Sequence, residues 1–305
     1  MTTLGKRSTA EQALRGRNLK GKYAIVTGAN SGLGTETARV LALGGAHVTL
    51  ACRSIEAGEK VANALRATLP KDAGMFSTGK VDLADPASIR AFASGYVAAG
   101  TPLDLLINNA GIMATPLGFT ALGIEQQLGT NHLGHFLLTT LLKERLEQSP
   151  AARVVTVSSG LHTRGKKQSL LATLEGDPKY TSRKYVPFDA YGDSKLANIL
   201  FSKALARRLP ASALAVSLHP GVIPTNLTRS MGFQGTIFRI VGGLFMKSVP
   251  QGAATTVYGA TAPELEGHTG VYLSDCAEMK PTADALDEAL SEQVWALSTR
   301  WVAQA

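Results

Sequence analysis

The chain reads as an α/β protein: a doubly wound parallel sheet with helices on both faces, in a single domain. Three observations predict this. Short apolar runs recur at residues 23–26, 47–52, 103–107, 153–157 and 213–218, each ending in small or polar residues. Helical apolar periodicity fills the stretches between them, so strand and helix alternate. A glycine-rich turn at 27–34 joins the first run to the first helix. Such apolar runs suit strands covered on both faces, and right-handed crossovers would supply the covering helices.

Composition bounds the answer. The 305 residues are 45% hydrophobic and 18% charged, which is ordinary for a globular chain with a sizeable core. The net charge is +8, but the basic clusters at 6–7, 15–22 and 164–167 are not interleaved with aromatics. They read as solvated surface, and no nucleic-acid partner is expected. Cys52 and Cys276 stand far apart without a CxxC, so neither a disulfide framework nor a metal site is expected. This fits a reducing compartment, and a cytoplasmic location is expected. There is no apolar run long enough for a transmembrane helix. Residues 1–20 read as a polar leader, helical over 9–15, with no apolar signal core.

The elements follow in order. The strand at 23–26 runs into Thr27-Gly28-Ala29-Asn30-Ser31-Gly32-Leu33-Gly34 and then a helix. Glycines there would let backbone approach a pyrophosphate, and the helix start would hold the anion. As a bare turn, the stretch reads equally as tight packing. The second strand, 47–52, ends in Cys52-Arg53. An acidic residue at that place would bond a ribose 2′-hydroxyl; a guanidinium instead favours a 2′-phosphate, hence NADP(H) over NAD. A helix at 55–69, a strand at 79–83 and a helix at 86–97 come next. Asp82 could accept from an adenine amino group or merely cap the following helix. The strand at 103–107 leads into Asn108-Asn109-Ala110-Gly111, where small residues leave room for a flat group against the backbone.

Residues 123–146 read as one long helix with Leu128, His132, Phe136 and Leu142 inward and Asn131 polar within it. Mid-helix asparagine is mildly unfavourable, so it solvates a surface or serves a site. The strand at 153–157 ends in Ser158-Ser159-Gly160, and His162 reads as a loop histidine. Residues 161–188 read as a long loop with one helical turn at 170–174; such loops are functional or mobile. Next comes Tyr191-Gly192-Asp193-Ser194-Lys195, opening a run whose Ala197, Leu200, Phe201, Ala204 and Leu205 form one helix face. Residues four apart on a helix point the same way, so Tyr191 and Lys195 would meet. The ammonium would draw the phenol from about 10 toward neutrality and make it a general acid/base. The strand at 213–218 ends in His219-Pro220-Gly221, with Thr225 just after. Residues 227–249 mix apolar residues and glycine, and read as a lid over an apolar pocket, a dimer contact or an interfacial helix. A helix at 251–261, a strand at 270–273 and a helix at 284–301 complete the chain.

In an open parallel sheet, ligands sit beyond the carboxyl ends of the strands, where all these polar features fall. Taken together, the motifs resemble the short-chain dehydrogenase/reductase family over roughly residues 20–275. They are Thr27-Gly28-x-x-x-Gly32-x-Gly34, Asn108-Asn109-Ala110-Gly111, Asn131, Ser159, Tyr191-x-x-x-Lys195 and Pro220-Gly221. The wording at 51–54, at 131–136, at 194–198 and at 272–276 is similar to its retinol-dehydrogenase-like branch.

The resemblance implies a Rossmann fold and a catalytic set of Asn131, Ser159, Tyr191 and Lys195. Tyr191 would be the acid/base, with Lys195 on the nicotinamide ribose lowering its pKa. Ser159 would hold the substrate oxygen, with Ser158 as the substitute if the strand ends one residue earlier. Asn131 would position a water. NADP(H) would be held by Gly28, Asn30, Ser31, Gly32, Leu33, Gly34, Arg53, Asp82, Leu83, Asn109, Ala110 and Gly111, besides Tyr191 and Lys195. Pro220, Gly221 and Thr225 would border the nicotinamide. The implied activity interconverts a carbonyl and an alcohol on a fairly apolar small molecule. The competing reading is a non-catalytic NADP-binding regulator or scaffold. A homo-oligomer is a family expectation, and peripheral membrane contact through 227–249 stays open. The stretch 161–188 exceeds the family's shortest spacing and is expected on the substrate side.

Overall fold

The computed structural model describes residues 3–223 and 246–304. Eight strands form one sheet: β1 Tyr23–Thr27, β2 His47–Cys52, β3 Phe76–Lys80, β4 Leu105–Asn108, β5 Arg153–Val157, β6 Leu214–His219, β7 Tyr272–Ser274 and β8 Ala277–Glu278. Their order is β3-β2-β1-β4-β5-β6-β7-β8, all parallel except the closing β7–β8 hairpin. The order reverses direction between β1 and β4, which pair through Ala24–Leu105 to Val26–Ile107. Such a reversal opens a crevice at the strands' carboxyl ends.

Alternation of side chains sorts the core into two layers. Ala24, Val26, Leu105, Ile107, Val155, Val157, Val216 and Leu218 face one side. They pack there on α2 (Gly32–Leu43) and on the helix Val249–Thr261, called α9 below, while α3 (Ile55–Thr68) covers β2 and β3. Ile25, Leu106, Val154 and Ala215 face the other side. They meet α4 (Pro86–Ala98), Phe136, Leu137 and Leu138 of a segmented helix, α5 (residues 126–141), and Phe201 and Leu205 of α8 (Pro187–Ala206).

Beyond α8 lies a third apolar layer. Leu196, Ile199 and Leu200 on its outer side meet Leu170 and Leu174 of α7 (Lys167–Glu175), and Leu290, Val294 and Leu297 of the last helix, α11 (Glu288–Ala303). Residues 190–202 are consequently all buried, whereas the spacing had suggested a single apolar face.

The polar leader carries a helix, α1 (Ala10–Leu14), capped by Thr9 and Gln12 in a capping box. Its Ala10, Ala13 and Leu14 are buried in the α2/α9 layer. Glu11 pairs with Arg39 of α2 at 2.6 Å, and Arg17 with Glu264 at 3.2 Å.

Several element bounds differ from the sequence reading. The strand expected at 79–83 lies earlier, at β3, so Asp82 and Leu83 follow it. The expected single helix at 123–146 begins as α5 at Gln126–Leu128, passes through a π turn at Gly129–Leu133 and continues over Gly134–Leu141. A separate short helix, α6, spans Lys143–Glu147. Glu125 starts α5 by accepting from the Gln127 and Leu128 amides.

The stretch 161–188 is not a plain loop. It contains a 3₁₀ turn at Gly160–Arg164, then α7, then a turn in which the Asp177 carboxylate accepts from Thr181 and Ser182. Arg183 ties that turn to α7 through Asp177 and the Ser169 carbonyl. The final helix is interrupted at Asp287, which ends α10 (Ala283–Leu286) and caps α11.

Candidate active site

The glycine turn is shaped by close approach. Gly28 has φ +66, and a Cβ there would stand 3.0 Å from Ala110. A Cβ on Gly34 would run into the Gly28 carbonyl oxygen. Ser31, the N-cap of α2, makes no side-chain cap bond, and no acidic residue occupies the helix's first turn. The leading N–H groups of α2 are thus left without a side-chain acceptor, at the positive end of the dipole. Asn30 and Ser31 are exposed at this mouth, with Gly32 and Leu33 half-buried. A pyrophosphate fits this cradle.

Thr27 ties the turn to the next strand end. Its hydroxyl accepts from the amides of Asn109 at 2.9 Å and Ala110 at 3.0 Å, and the Asn109 side chain donates to the Thr27 carbonyl at 2.8 Å. Arg53 is exposed at the end of β2. The Asp82 carboxylate accepts the Ala84 amide at 3.0 Å, while the cap of α4 is Asp85. Leu83 is buried, and its carbonyl lies where a Cβ on Gly134 would fall. Glycine there lets α5 lie against the backbone that follows β3.

Tyr191 and Lys195 lie one turn apart on α8, with the Lys195 Nζ 5.6 Å from the centre of the Tyr191 ring. Both are buried. Lys195 donates to the Val157 carbonyl at 3.0 Å, which Asn198 also reaches at 3.2 Å. The Ser159 hydroxyl lies near the Tyr191 phenol and favours its ionised form, and it accepts the Leu161 amide at 3.1 Å. Ser158 is excluded from this cluster because its hydroxyl donates to the Lys195 carbonyl at 2.7 Å. Strand β5 ends at Val157, and the next two side chains point to opposite sides.

The electrostatics differ from the expectation. Burial pushes the Tyr191 phenol up to about 12, and the nearby Ser159 hydroxyl offsets only part of that. Burial also brings Lys195 down to about 7. Desolvation disfavours both charged forms and is the largest cause of each shift.

Asn131 sits in the π turn of α5. Its Oδ1 accepts from the Ile112 amide at 2.8 Å, and its Nδ2 donates to the Ile112 carbonyl at 2.9 Å and to Ser194 at 3.0 Å. Both amide hydrogens have protein partners, so this side chain grips the segment after β4 and has no hydrogen left to give a water. Gly111 lies between: a Cβ there would stand 3.5 Å from the Lys195 Nζ.

Other residues of the site escaped the sequence reading. His162 is buried on the 3₁₀ turn and donates to the Ser159 carbonyl at 2.7 Å, with the Tyr272 hydroxyl at 3.4 Å from the same oxygen. His219 Nδ1 accepts from Gly160 at 2.9 Å; burial, helped by Lys247, lowers this imidazole to about 4. Gly192 meets Gly165 backbone to backbone, a Cβ on it standing 2.7 Å from the Gly165 nitrogen. Among these, only the two histidines carried a signal, their place just after strand ends. Pro220 is buried, and Gly221, with φ +96, lies under the Lys247 side chain. Thr225 and residues 227–245 lie outside the described residues.

Comparison with known proteins agrees with this geometry. The short chain dehydrogenase family model matches residues 22–170. The chain is 43% identical to Retinol dehydrogenase 12 of Mus musculus over 92% of its own length and 86% of that protein's. It is 38% identical to Short-chain dehydrogenase TIC 32 B, chloroplastic, of Brassica napus, over 98% and 94% respectively. A solved structure from Mycobacterium Paratuberculosis, described as uncharacterized, superimposes with TM-score 0.73 at 37% identity, covering 94% of this chain and 95% of that one. The chain belongs to the short-chain dehydrogenase/reductase family, in its retinol-dehydrogenase-like branch, and is an NAD(P)-dependent alcohol/carbonyl oxidoreductase.

Proposed function

We propose that the protein is an NADP(H)-dependent oxidoreductase that interconverts a ketone or aldehyde and its alcohol on a fairly apolar small molecule, with Tyr191 as general acid/base. The observation that carries this is Tyr191 buried beside Lys195 on α8, with half-buried Ser159 next to it at the carboxyl end of β5.

The chain's own groups have separable tasks. The N–H groups starting α2 hold the pyrophosphate, and Gly28 and Gly34 let it come close. Asn109, Ala110 and Gly111 form a floor for the nicotinamide, with Pro220, Gly221 and Thr225 at its border. Arg53 meets a 2′-phosphate; Cys52 stands where a carboxylate would serve NAD. When bound, the cofactor supplies or takes the hydride. Ser159 and Tyr191 hydrogen-bond the substrate oxygen. A phenol near 12 is protonated at neutral pH, so Tyr191 stands ready to donate in the direction of reduction. Protonated Lys195 opposes the charge building on that oxygen.

An apolar substrate is supported by exposed Val222 next to Gly221 and Met279 next to β8, and by the retinol in the names of relatives. We assign 161–188 and 227–249 to the substrate side. The two cysteines are free, which fits the cytoplasmic reading.

The test is a panel of apolar aldehydes, ketones and alcohols, assayed with NADPH and NADH in parallel. The expected result is turnover with NADPH preferred, reduced about 10²–10⁴-fold in Tyr191→Phe, the usual worth of a positioned proton donor. Absence of turnover across the panel, or full activity in the phenylalanine variant, would refute the reading.

A further inference from the structure

Two clamps hold the segment that follows β4, and one buried histidine joins them. The first clamp is Thr27, whose hydroxyl accepts from the Asn109 and Ala110 amides at 2.9 and 3.0 Å. The second is Asn131, whose side-chain amide pairs both ways with Ile112 at 2.8 and 2.9 Å. Between them stands His135. Its Nδ1 is 2.9 Å from the Asn131 main-chain carbonyl, and its Nε2 is 2.9 Å from the Thr27 hydroxyl.

Hydrogen-bond chemistry orients this bridge. A carbonyl can only accept, so His135 Nδ1 carries the hydrogen. In the neutral ring Nε2 is then bare and accepts, so the Thr27 hydroxyl donates to it. That leaves the Thr27 lone pairs for the two amides, while the Ile107 carbonyl at 3.3 Å is the poorer claimant for the single proton. Every polar atom of the His135 ring is then satisfied. Burial lowers its pKa to about 4 against the opposing Asn131 carbonyl bond, with the nearby Lys195 charge a lesser contributor in the same direction as burial, consistent with a neutral ring.

The result is a closed circuit: Thr27, His135, Asn131, Ile112, and back along the chain through Gly111 to Ala110 and Asn109. Gly111, the residue facing the Lys195 Nζ, is suspended between the clamps.

We propose that His135 is a positioning residue: by bridging the Asn131 carbonyl and the Thr27 hydroxyl it sets the height of the Asn109–Gly111 floor beneath Lys195, and so the seat of the nicotinamide. The proposal rests on the reading of this site as a nicotinamide-dependent oxidoreductase. The rival account is that His135 merely fills core volume, which a phenylalanine would do as well.

The test uses the full chain. Side-chain ¹⁵N NMR of the histidines at neutral pH should assign His135 as the neutral Nδ1–H tautomer. His135→Phe, folded by circular dichroism, should lower kcat and NADPH affinity by about tenfold or more, the equivalent of one lost buried hydrogen bond or two. KM for the carbonyl substrate should change much less. His135→Asn, whose Nδ2 can still donate to the Asn131 carbonyl, should recover part of the loss. An Nε2–H tautomer or an imidazolium at neutral pH would overturn the proposal. So would a phenylalanine variant with wild-type affinity and kcat, or equal losses in both variants that track their loss of stability. Should the phenylalanine variant not fold, the tautomer and the asparagine variant carry the test. A wild-type protein that turns over no carbonyl defeats the functional reading alone, because the tautomer and the NADPH titration still decide this one.

Discussion

Tyr191 and Lys195 show how a spacing can be right while its electrostatic consequence is reversed. The i, i+4 relation places ammonium and phenol side by side, as helix geometry requires. Both are enclosed, and the enclosure raises the phenol to about 12 and lowers the amine to about 7. In the protein without cofactor, therefore, Lys195 is the group whose charge changes near neutrality. Because kcat/KM reports the ionisations of the free enzyme, its profile for carbonyl reduction should fall as pH rises through about 7. Lys195→Arg retains its charge at any accessible pH. That variant should be slower throughout but lose the alkaline fall. A profile identical in shape for both proteins would remove Lys195 as its origin. The same scale decided between the two serines. Ser158 and Ser159 are equivalent as letters, and the register of β5 separates them, turning one to the Lys195 backbone and the other to Tyr191.

Among the elements, the 3₁₀ turn at Gly160–Arg164 and helix α8 are joined at Gly192 and Gly165. Neither glycine was distinguishable in the sequence from an ordinary small residue. Asp193 holds the start of α7 from the other side: its carboxylate accepts the Lys166 amide at 3.0 Å, and burial raises it to about 6 despite that bond. The segment before Tyr191 is thus fastened to the helix that carries it. Gly192→Ala would place a methyl against the Gly165 nitrogen and, at 2.9 Å, the Leu161 carbonyl oxygen. Backbone cannot yield as a side chain does, so overpacking of about 1–3 kcal/mol is expected. Because the turn begins at Ser159, kcat per folded molecule should fall as well. Urea denaturation and active-site assays on the same samples would check both. Unchanged stability would mean that the turn moves freely. The π turn of α5 belongs to this scale too: the helical period predicted a helix there but not the irregular turn in which Asn131 closes on Ile112.

At the scale of the whole molecule, the fold keeps neutral histidines inside. His132, His135 and His219 are lowered from 6.5 to about 3, 4 and 4, in each case chiefly by burial. Between those values and 6.5 the unfolded chain binds protons that the folded chain does not, so stability falls as pH drops through that window. For His132 and His135 the full effect is roughly 3 kcal/mol or more each, reached only below their folded values. Asp193, between 3.8 and about 6, and Glu125, also raised by burial, act oppositely, since there the folded chain holds the extra proton, but they are two groups against four, His162 being lowered by burial as well. Calorimetry should therefore show Tm decreasing from pH 6.5 toward 4. A Tm constant across that range would contradict the burial of these rings as neutral groups. The same enclosure bears on assembly: α8 is covered by the sheet, α5, α7 and α11 of its own chain, so we propose that any homo-oligomer uses other surfaces.

Period and local spacing were enough to establish the alternating strands and helices, the glycine turn before α2, and Tyr191 above Lys195. These are properties of neighbouring residues, and covalent geometry transmits them directly. The tertiary structure alone decided which serine lies beside the tyrosine, what Asn131 grips, and which way the buried charges shift. It also decided that His135 meets Thr27, 108 positions away. Such partners are chosen by how sheet and helices pack. Hydrogen bonds and desolvation depend on what surrounds a group in space, and no local pattern of residues records that.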